Sequence, residues 1–286
     1  VTPPEGLVVA FKPSGITSHD VVDGVRKILG TKKVGHAGTL DPMAMGVLVL
    51  GVGRATRLLR YLSGLDKEYE GTGILGVETD TLDAEGATVA THDVDVSRSQ
   101  LELAMSELTG DIEQVPPAYS AVKVGGQKLY KAARKGEAIE APPRPVHVDA
   151  FDLLRFEMPS FDFRVVCSSG TYVRTLVADA GRTVGSGAHL ARLVRTRIGP
   201  FGLDRAVMLN RLRVPLPLET AVEHLPAFTL EHPDEARAAS NGACLAPADI
   251  GGPYRLLTPD GALIGIWRDT GAKSCPEMVL APVPAP

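Results

Sequence analysis

Asp41 is the side chain in this sequence most suited to covalent or acid–base chemistry. It lies near the end of the run Val34-Gly35-His36-Ala37-Gly38-Thr39-Leu40-Asp41-Pro42. The proline that follows steers it away from helical backbone and toward an extended conformation. Gly35 and Gly38 allow the chain to turn tightly and to come close to a ligand. A carboxylate on such a loop suits a nucleophile or a general base; an Asp in a Gly-rich turn also suits a local bond to its own backbone. Other chemistries lack their residues. The chain has no Gly-Lys-Ser/Thr phosphate loop, no Gly-rich dinucleotide turn opening a helix after a strand, and no clustered His and Cys ligands.

The segments around this loop read as a mixed α and β scaffold. Gly6 to Phe11 is a short buried strand, and Ser18 is the expected N-cap of a helix from His19 to Leu29 that ends at Gly30. Val47 to Leu50 is a continuous apolar run between glycines, hence a central strand, and Arg54 to Leu62 is a helix. Lys67 to Val77 alternates as a long strand, with Tyr69 on one face and Glu68 and Glu70 on the other. The acidic stretch Glu78 to Glu85 lacks the ligand spacing of a calcium loop and reads as solvated. Leu101, Ala104, Met105 and Leu108 mark an amphipathic helix. Gln114 to Arg144, with Pro116-Pro117, Gly125-Gly126 and a basic helix near 129–135, reads as an arm rather than core. Phe161 to Cys167 is a strand feeding Gly170 and a helix from about Thr171 to Arg182, and Leu218 to Leu225 is a closing helix. Beyond Ala227 come short apolar runs and a hairpin turn at Thr258-Pro259-Asp260-Gly261.

A chain of 286 residues has room for one large domain and one small one. No apolar stretch approaches the ~18 residues of a membrane span, and the first residues lack an export signal. The three cysteines, Cys167, Cys244 and Cys275, are widely spaced, which predicts neither a disulfide framework nor a zinc site and points to a reducing cytoplasm. The net charge of −4 argues against nucleic acid, but its distribution argues for it. Residues 1–60, 121–147 and 170–200 each carry an excess of +4, while residues 61–120 carry −11. That is the pattern of a basic groove on an acidic body.

The Asp41 run resembles the catalytic loop of the TruB family of pseudouridine synthases. Further blocks resemble the same family in the same order: Lys12-Pro13-Ser14-Gly15-Ile16-Thr17-Ser18, Asp66-Lys67-Glu68-Tyr69, Gly170-Thr171-Tyr172-Val173-Arg174-Thr175-Leu176 and Leu190-Ala191-Arg192-Leu193-Val194-Arg195. Thr79, Thr81, Asp83 and Gly86 match a family connection. Together the blocks cover roughly residues 5 to 200, and the last 60 or so residues resemble the family's C-terminal module weakly.

The resemblance implies an α+β fold: a catalytic domain over 1–226 with a long, mainly antiparallel sheet flanked by helices, an RNA-binding thumb at about 114–144, and a small β-rich, PUA-like RNA-binding domain over 227–286. It implies isomerisation of uridine 55 to pseudouridine in the T-arm of tRNA, by base flipping, without cofactor or metal. The implied partner is the tRNA stem-loop alone, with no guide RNA, obligatory protein partner or membrane, and the implied compartment is the cytoplasm. Asp41 then attacks C1′, adds to C6, or takes a proton. Arg174 holds Asp41 ionised and lowers its pKa. Tyr69 stacks on the base and its hydroxyl moves a proton. Tyr172 lines the pocket, Leu193 forms an apolar wall, and His36 stacks on or replaces the flipped nucleotide. Lys12, Arg192, Arg195 and Arg197, with the arm lysines Lys123, Lys128 and Lys131, hold phosphates. The rivals are a guide-dependent relative, a non-catalytic RNA-binding or tRNA-folding protein, and a carboxylate-nucleophile hydrolase.

Overall fold

Aliphatic and β-branched runs separated by glycine turns form one large mixed sheet in the computed structural model, which describes residues 4–120, 123–128 and 141–280. Its strands are β1 (Gly6–Lys12), β2 (Val34–His36), β3 (Met45–Val52), β4 (Lys67–Leu75), β7 (Gly110–Gln114), β10 (Arg144–Glu157), β11 (Ser160–Cys167), β12 (Ala188–Ile198) and β13 (Phe201–Gly202). Between them lie two small hairpins, β5 (Val77–Thr79) with β6 (Thr88–Thr91), and β8 (Lys123–Val124) with β9 (Gln127–Lys128). The nine-stranded sheet runs β1-β3-β12-β4-β11-β10-β7, with β2 on β3 and β13 on β12. Strand β12 lies antiparallel to β4 and parallel to β3, and the other pairs in this sheet are antiparallel. The α+β architecture with a long, mainly antiparallel sheet is therefore as expected.

Burial along β4 alternates with period two, placing Lys67 and Tyr69 inward and Glu70 outward. Where β3 meets β12, Gly46 adopts φ +107°. A Cβ there would lie 2.2 Å from the Arg195 carbonyl, so glycine is what lets the two backbones touch beside the Asp41 loop.

Helix α1 (Ser18–Leu29) buries Val21, Val22 and Val25 against β1 and β3. Its N-cap is Thr17, not Ser18: the Thr17 hydroxyl accepts from the Asp20 amide, and the Asp20 carboxylate accepts from the Thr17 amide at 2.7 Å. An acid three residues on makes Thr17 the better cap, and Ser18 is released for another task at the site. The expected helix over 54–62 is a 3₁₀ turn, Gly53–Arg57, followed by the short α2 (Leu59–Ser63). Helices α3 (Arg98–Ser106) and α4 (Val173–Thr183) pack against the core under β10, β11 and β12. The closing helix at 218–225 is a 3₁₀ turn, Leu218–Val222. Among the described residues no helix is long and apolar enough to cross a membrane.

The C-terminal part holds α5 (Pro233–Ser240) and a second sheet of β14 (Ala227–Thr229), β15 (Tyr254–Leu257), β16 (Leu263–Asp269) and β17 (Ser274–Val279). The hairpin falls where the turn residues put it, between β15 and β16. Ile266, Met278 and Leu280 join Leu7, Val9, Leu58 and Leu62 in one apolar cluster. Arg54 and Arg57 donate to the Leu280 and Val279 carbonyls at 2.8 and 2.9 Å. The tail thus shares core with the body.

The cysteine reading needs correction. Cys244 and Cys275 are disulfide-bonded, because the bridge between Leu245 and Ser274 brings their neighbours side by side. Sequence spacing of 31 hid this contact, and the inference of a reducing compartment from unpaired cysteines loses its basis.

Candidate active site

The Asp41 loop is pinned from three directions by buried donors. Ser18, freed from capping, donates to the Leu40 carbonyl at 3.0 Å and accepts from the Leu40 amide at 2.8 Å. The Lys12 ammonium, 0% exposed, donates to the carbonyls of Pro13, Pro42 and Ala44 at 3.0, 3.1 and 2.7 Å. Arg195, 1% exposed, donates to Val47, Thr39 and Gly38 carbonyls at 2.8, 3.3 and 3.1 Å. Both cations were expected to hold phosphates. Instead each is spent on backbone carbonyls that would otherwise be buried without partners, and neither presents a free charge to a ligand.

The pinned loop delivers Asp41 to a cavity of about 1040 Å³, lined also by His36, Tyr69, Tyr172, Arg174 and Leu193. Arg174, in the first turn of α4, is only 6% exposed. One terminal nitrogen lies 3.0 Å from the Asp41 carboxylate and donates to the Tyr119 carbonyl at 3.0 Å. The other reaches the Thr81 carbonyl at 2.9 Å and the Asp83 carboxylate at 3.2 Å. The acidic stretch is exposed at Asp80 and Glu85, as read, but Asp83 turns inward, where it is buried and shares the arginine with Asp41. The match of Thr79, Thr81, Asp83 and Gly86 to the family connection was the available signal. Local charge density outweighed it, since a run of acids usually marks a solvated face.

Asp41 keeps 43% of its side chain open to the cavity. Its pKa is raised, opposite to expectation: desolvation by the cavity wall dominates and Asp83 adds to it, against the pull of Arg174 and Lys12. Because the guanidinium is divided between two carboxylates, Asp41 receives less of its charge than a private pair would give.

Tyr69 is buried on β4, and burial raises its phenol pKa, so it stays protonated at neutral pH and can donate. Lys67, one turn of the pleat away, lines the same cavity and was not anticipated there. Burial and the charge of Arg195 bring its pKa down to about 8. Its ammonium donates to Ser63 and Leu65 carbonyls at 2.8 and 2.6 Å. His36 is half-buried, and burial followed by Arg195 lowers its pKa. It is thus neutral at physiological pH, which suits stacking rather than charge. Leu193 is buried in the wall. Arg192 is exposed on β12, whereas Arg197 lies 3.6 Å from Glu68. Lys123 and Lys128 fall on the paired strands β8 and β9 of the arm; Lys131 and the expected basic helix near 129–135 lie outside the described residues.

The family described as "TruB family pseudouridylate synthase (N terminal domain)" matches residues 26–173. That described as "tRNA Pseudouridine synthase II, C terminal" matches residues 232–281. A protein of Mycolicibacterium paratuberculosis named tRNA pseudouridine synthase B is 47% identical over 98% of both chains. The protein of that name from Thermobifida fusca is 43% identical, covering 97% of this chain and 99% of the relative. Among solved structures, a chain of a Cbf5-Nop10-Gar1 complex superposes with TM-score 0.76 at 29% identity, covering 97% of this chain and 85% of that one. A chain of an H/ACA RNP bound to a substrate RNA containing 2′-deoxyuridine gives TM-score 0.75 at 27% identity, with the same coverage.

Proposed function

The chain belongs to the TruB family of pseudouridine synthases, and we propose on that premise that it isomerises uridine 55 of the tRNA T-arm to pseudouridine, acting alone. The observation that carries the reading is one carboxylate, Asp41, open to a cavity and held by a buried arginine that a second carboxylate restrains. The relatives at 43% and 47% identity are named for tRNA, whereas the ribonucleoprotein components are more distant, at 27% and 29%. That difference favours the stand-alone synthase over the guide-dependent one. The substrate in turn places the activity in the cytoplasm.

The uridine sits in a folded loop and must be extruded to reach Asp41. Tyr69 and Leu193 offer the base an apolar face and keep water from the detached uracil. The ionised carboxylate of Asp41 supplies the electron pair or accepts the proton that starts cleavage of the C1′–N1 bond. The uracil then turns and rejoins through C5; the C5 proton passes to the Asp41 carboxylate, N1 takes up a proton in its place, and the protonated Tyr69 hydroxyl can donate a hydrogen bond to the base during the transfer. Arg192 and the arm lysines Lys123, Lys128 and Lys131 take the phosphate contacts, and His36 fills the space of the displaced nucleotide.

The test is to incubate purified protein with a T-arm hairpin transcript and no other component, then map pseudouridine at single-nucleotide resolution. Conversion at position 55 is expected, and Asp41→Asn should lose on the order of 10⁴-fold in rate while still binding RNA. Conversion that requires an added RNA or protein would refute the stand-alone reading. Asp41→Asn within tenfold of wild type would refute the assignment of the carboxylate.

A further inference from the structure

Helix α4 begins without a cap of its own. Its N-cap residue, Tyr172, makes no side-chain capping bond. Instead Gln114, the last residue of β7 and 58 positions away, bonds both backbone groups of Tyr172. The Gln114 amide oxygen accepts from the Tyr172 amide at 2.7 Å, and the amide nitrogen donates to the Tyr172 carbonyl at 3.1 Å. Gln114 is 1% exposed, so neither bond has water as a ready substitute.

Gln114 is paired in the sheet with Arg144, the first residue of β10. The arm leaves the body at the one and returns at the other. Arg144 also reaches Tyr172: its guanidinium lies over the tyrosine ring, 4.8 Å from the centroid, and donates to the Gly170 carbonyl. Its Nε is buried without a partner, and among the described residues no carboxylate neutralises it. Just inside the arm, the Tyr119 carbonyl accepts from Arg174. Both ends of the arm therefore converge on the segment 170–174, and that segment ends in the guanidinium that holds Asp41.

We propose that the neck of the arm, Gln114 with Arg144, is a positioning device: it fixes Tyr172 and, through the first turn of α4, sets Arg174 against Asp41. RNA seated on the arm then bears directly on the geometry of the Arg174–Asp41 pair. The inference rests on the proposed RNA-modifying function. Gln114 and Arg144 touch no reacting atom in this scheme; they act through Tyr172 and Arg174.

Gln114→Met keeps the volume and removes both bonds. Single-turnover rate at saturating T-arm hairpin should fall at least about tenfold, with RNA affinity changed less than about threefold. Gln114→Glu supplies a finer readout. A neutral carboxylic acid reproduces the amide, accepting from Tyr172 N–H and donating to its carbonyl, whereas a carboxylate repels that carbonyl. Burial raises the acid's pKa, so the Glu variant's rate relative to wild type should climb as pH falls from about 8 to about 6. Arg144→Lys keeps the charge and loses the flat stack on Tyr172, and should lower the same rate at least about threefold.

A Gln114→Met rate within about twofold of wild type, or a loss confined to RNA affinity, overturns the proposal. If Gln114→Met fails to fold, the other two variants decide: a pH-independent Glu ratio together with an unchanged Arg144→Lys rate overturns it. A wild-type protein inactive on the hairpin sinks the functional reading instead. The clamp is then judged on the free protein, by faster amide exchange of the Tyr172 peptide in whichever Gln114 variant folds; unchanged exchange overturns it.

Discussion

Replacing Arg195 by lysine separates two roles that a basic residue can have in an RNA-binding enzyme. The guanidinium makes three bonds to the carbonyls of Gly38, Thr39 and Val47 and is buried. A lysine preserves the charge, but its compact ammonium on a shorter stem cannot span those three acceptors. Two carbonyls left buried without donors cost about 1–3 kcal/mol each, so stability should fall by about 2–6 kcal/mol. For a domain of this size that is a melting temperature lower by roughly 5–20 °C, read by calorimetry. The loss falls on the loop that aims Asp41, so the single-turnover rate should drop at least about tenfold. RNA binding should be little changed, and its salt dependence should not move, since a lost phosphate contact would reduce the slope by about 0.7–0.9. Filter binding across a salt series measures that slope, with exposed Arg192→Ala as the comparison that should reduce it. A melting temperature within about 2 °C of wild type, with a slope reduced by nearly one, would refute the reasoning and return Arg195 to the RNA interface.

Other outcomes follow from the same geometry. Arg174→Lys keeps one charge where two carboxylates and two carbonyls are served; breaking such a buried pair costs about 3–5 kcal/mol, and a loss of that size in the transition state is roughly 10²- to 5 × 10³-fold in rate, which stopped-flow single turnovers with unchanged RNA affinity would show. Asp83→Asn removes a charge that raises the Asp41 pKa, so the acid limb of the pH–rate profile, where Asp41 is protonated and inactive, should move to lower pH even as the rate on the plateau falls. A limb that stays put or moves upward contradicts the shared arginine. Tyr69→Phe should bind RNA normally and turn over poorly if the hydroxyl moves a proton, while Tyr69→Leu should lose both; equal activity in the Phe variant leaves stacking alone. Removing residues from 227 onward should lower the melting temperature, because Ile266, Met278 and Leu280 complete the cluster around Leu58 and Leu62, yet leave the cavity able to modify an isolated hairpin. Unaltered melting would mean that this shared cluster contributes nothing.

Much of the site was legible in sequence because its members are set by local rules. Tyr69 faces the cavity through the two-residue period of β4 and Asp41 through a loop whose glycines and proline fix its path, whereas Leu193 reaches it through an irregularity between Leu190 and Arg192 that shifts the phase of β12. What sequence could not show was where a polar group finds its partner once the chain is folded. Ser18 and Thr17 are adjacent hydroxyls, serine the better cap by type, and the choice of Thr17 rests on Asp20. Asp83 sits among acids that face solvent, and the arginine that draws it inward lies 91 residues on. Cys244 and Cys275 become neighbours through a single bridge between a loop and β17.

The same limit bears on the charge argument for an RNA groove. An excess of +4 in residues 170–200 counts Arg174, Arg182, Arg195 and Arg197 alongside Arg192. In the folded protein Arg174 serves Asp41 and Asp83, Arg182 pairs with Asp179, Arg197 with Glu68, and Arg195 serves the loop backbone. In residues 1–60, Lys12 is enclosed, and Arg26, Arg54 and Arg60 pair with Asp23, Glu5 and Glu277. A cation bonded to a carboxylate contributes little net field at a distance. Of these cations Lys12, Arg174 and Arg195 hold the site and the others pair with carboxylates, so the attraction of the RNA backbone must rest on fewer residues than sequence counting suggests. Lys27, Lys32, Lys33 and Arg192 are exposed and remain for that attraction, with the arm lysines beside them on the proposed function. On the proposed function, the arm expected to grip the RNA and the residues that hold Asp41 thus meet at one joint, the segment from Gly170 to Arg174.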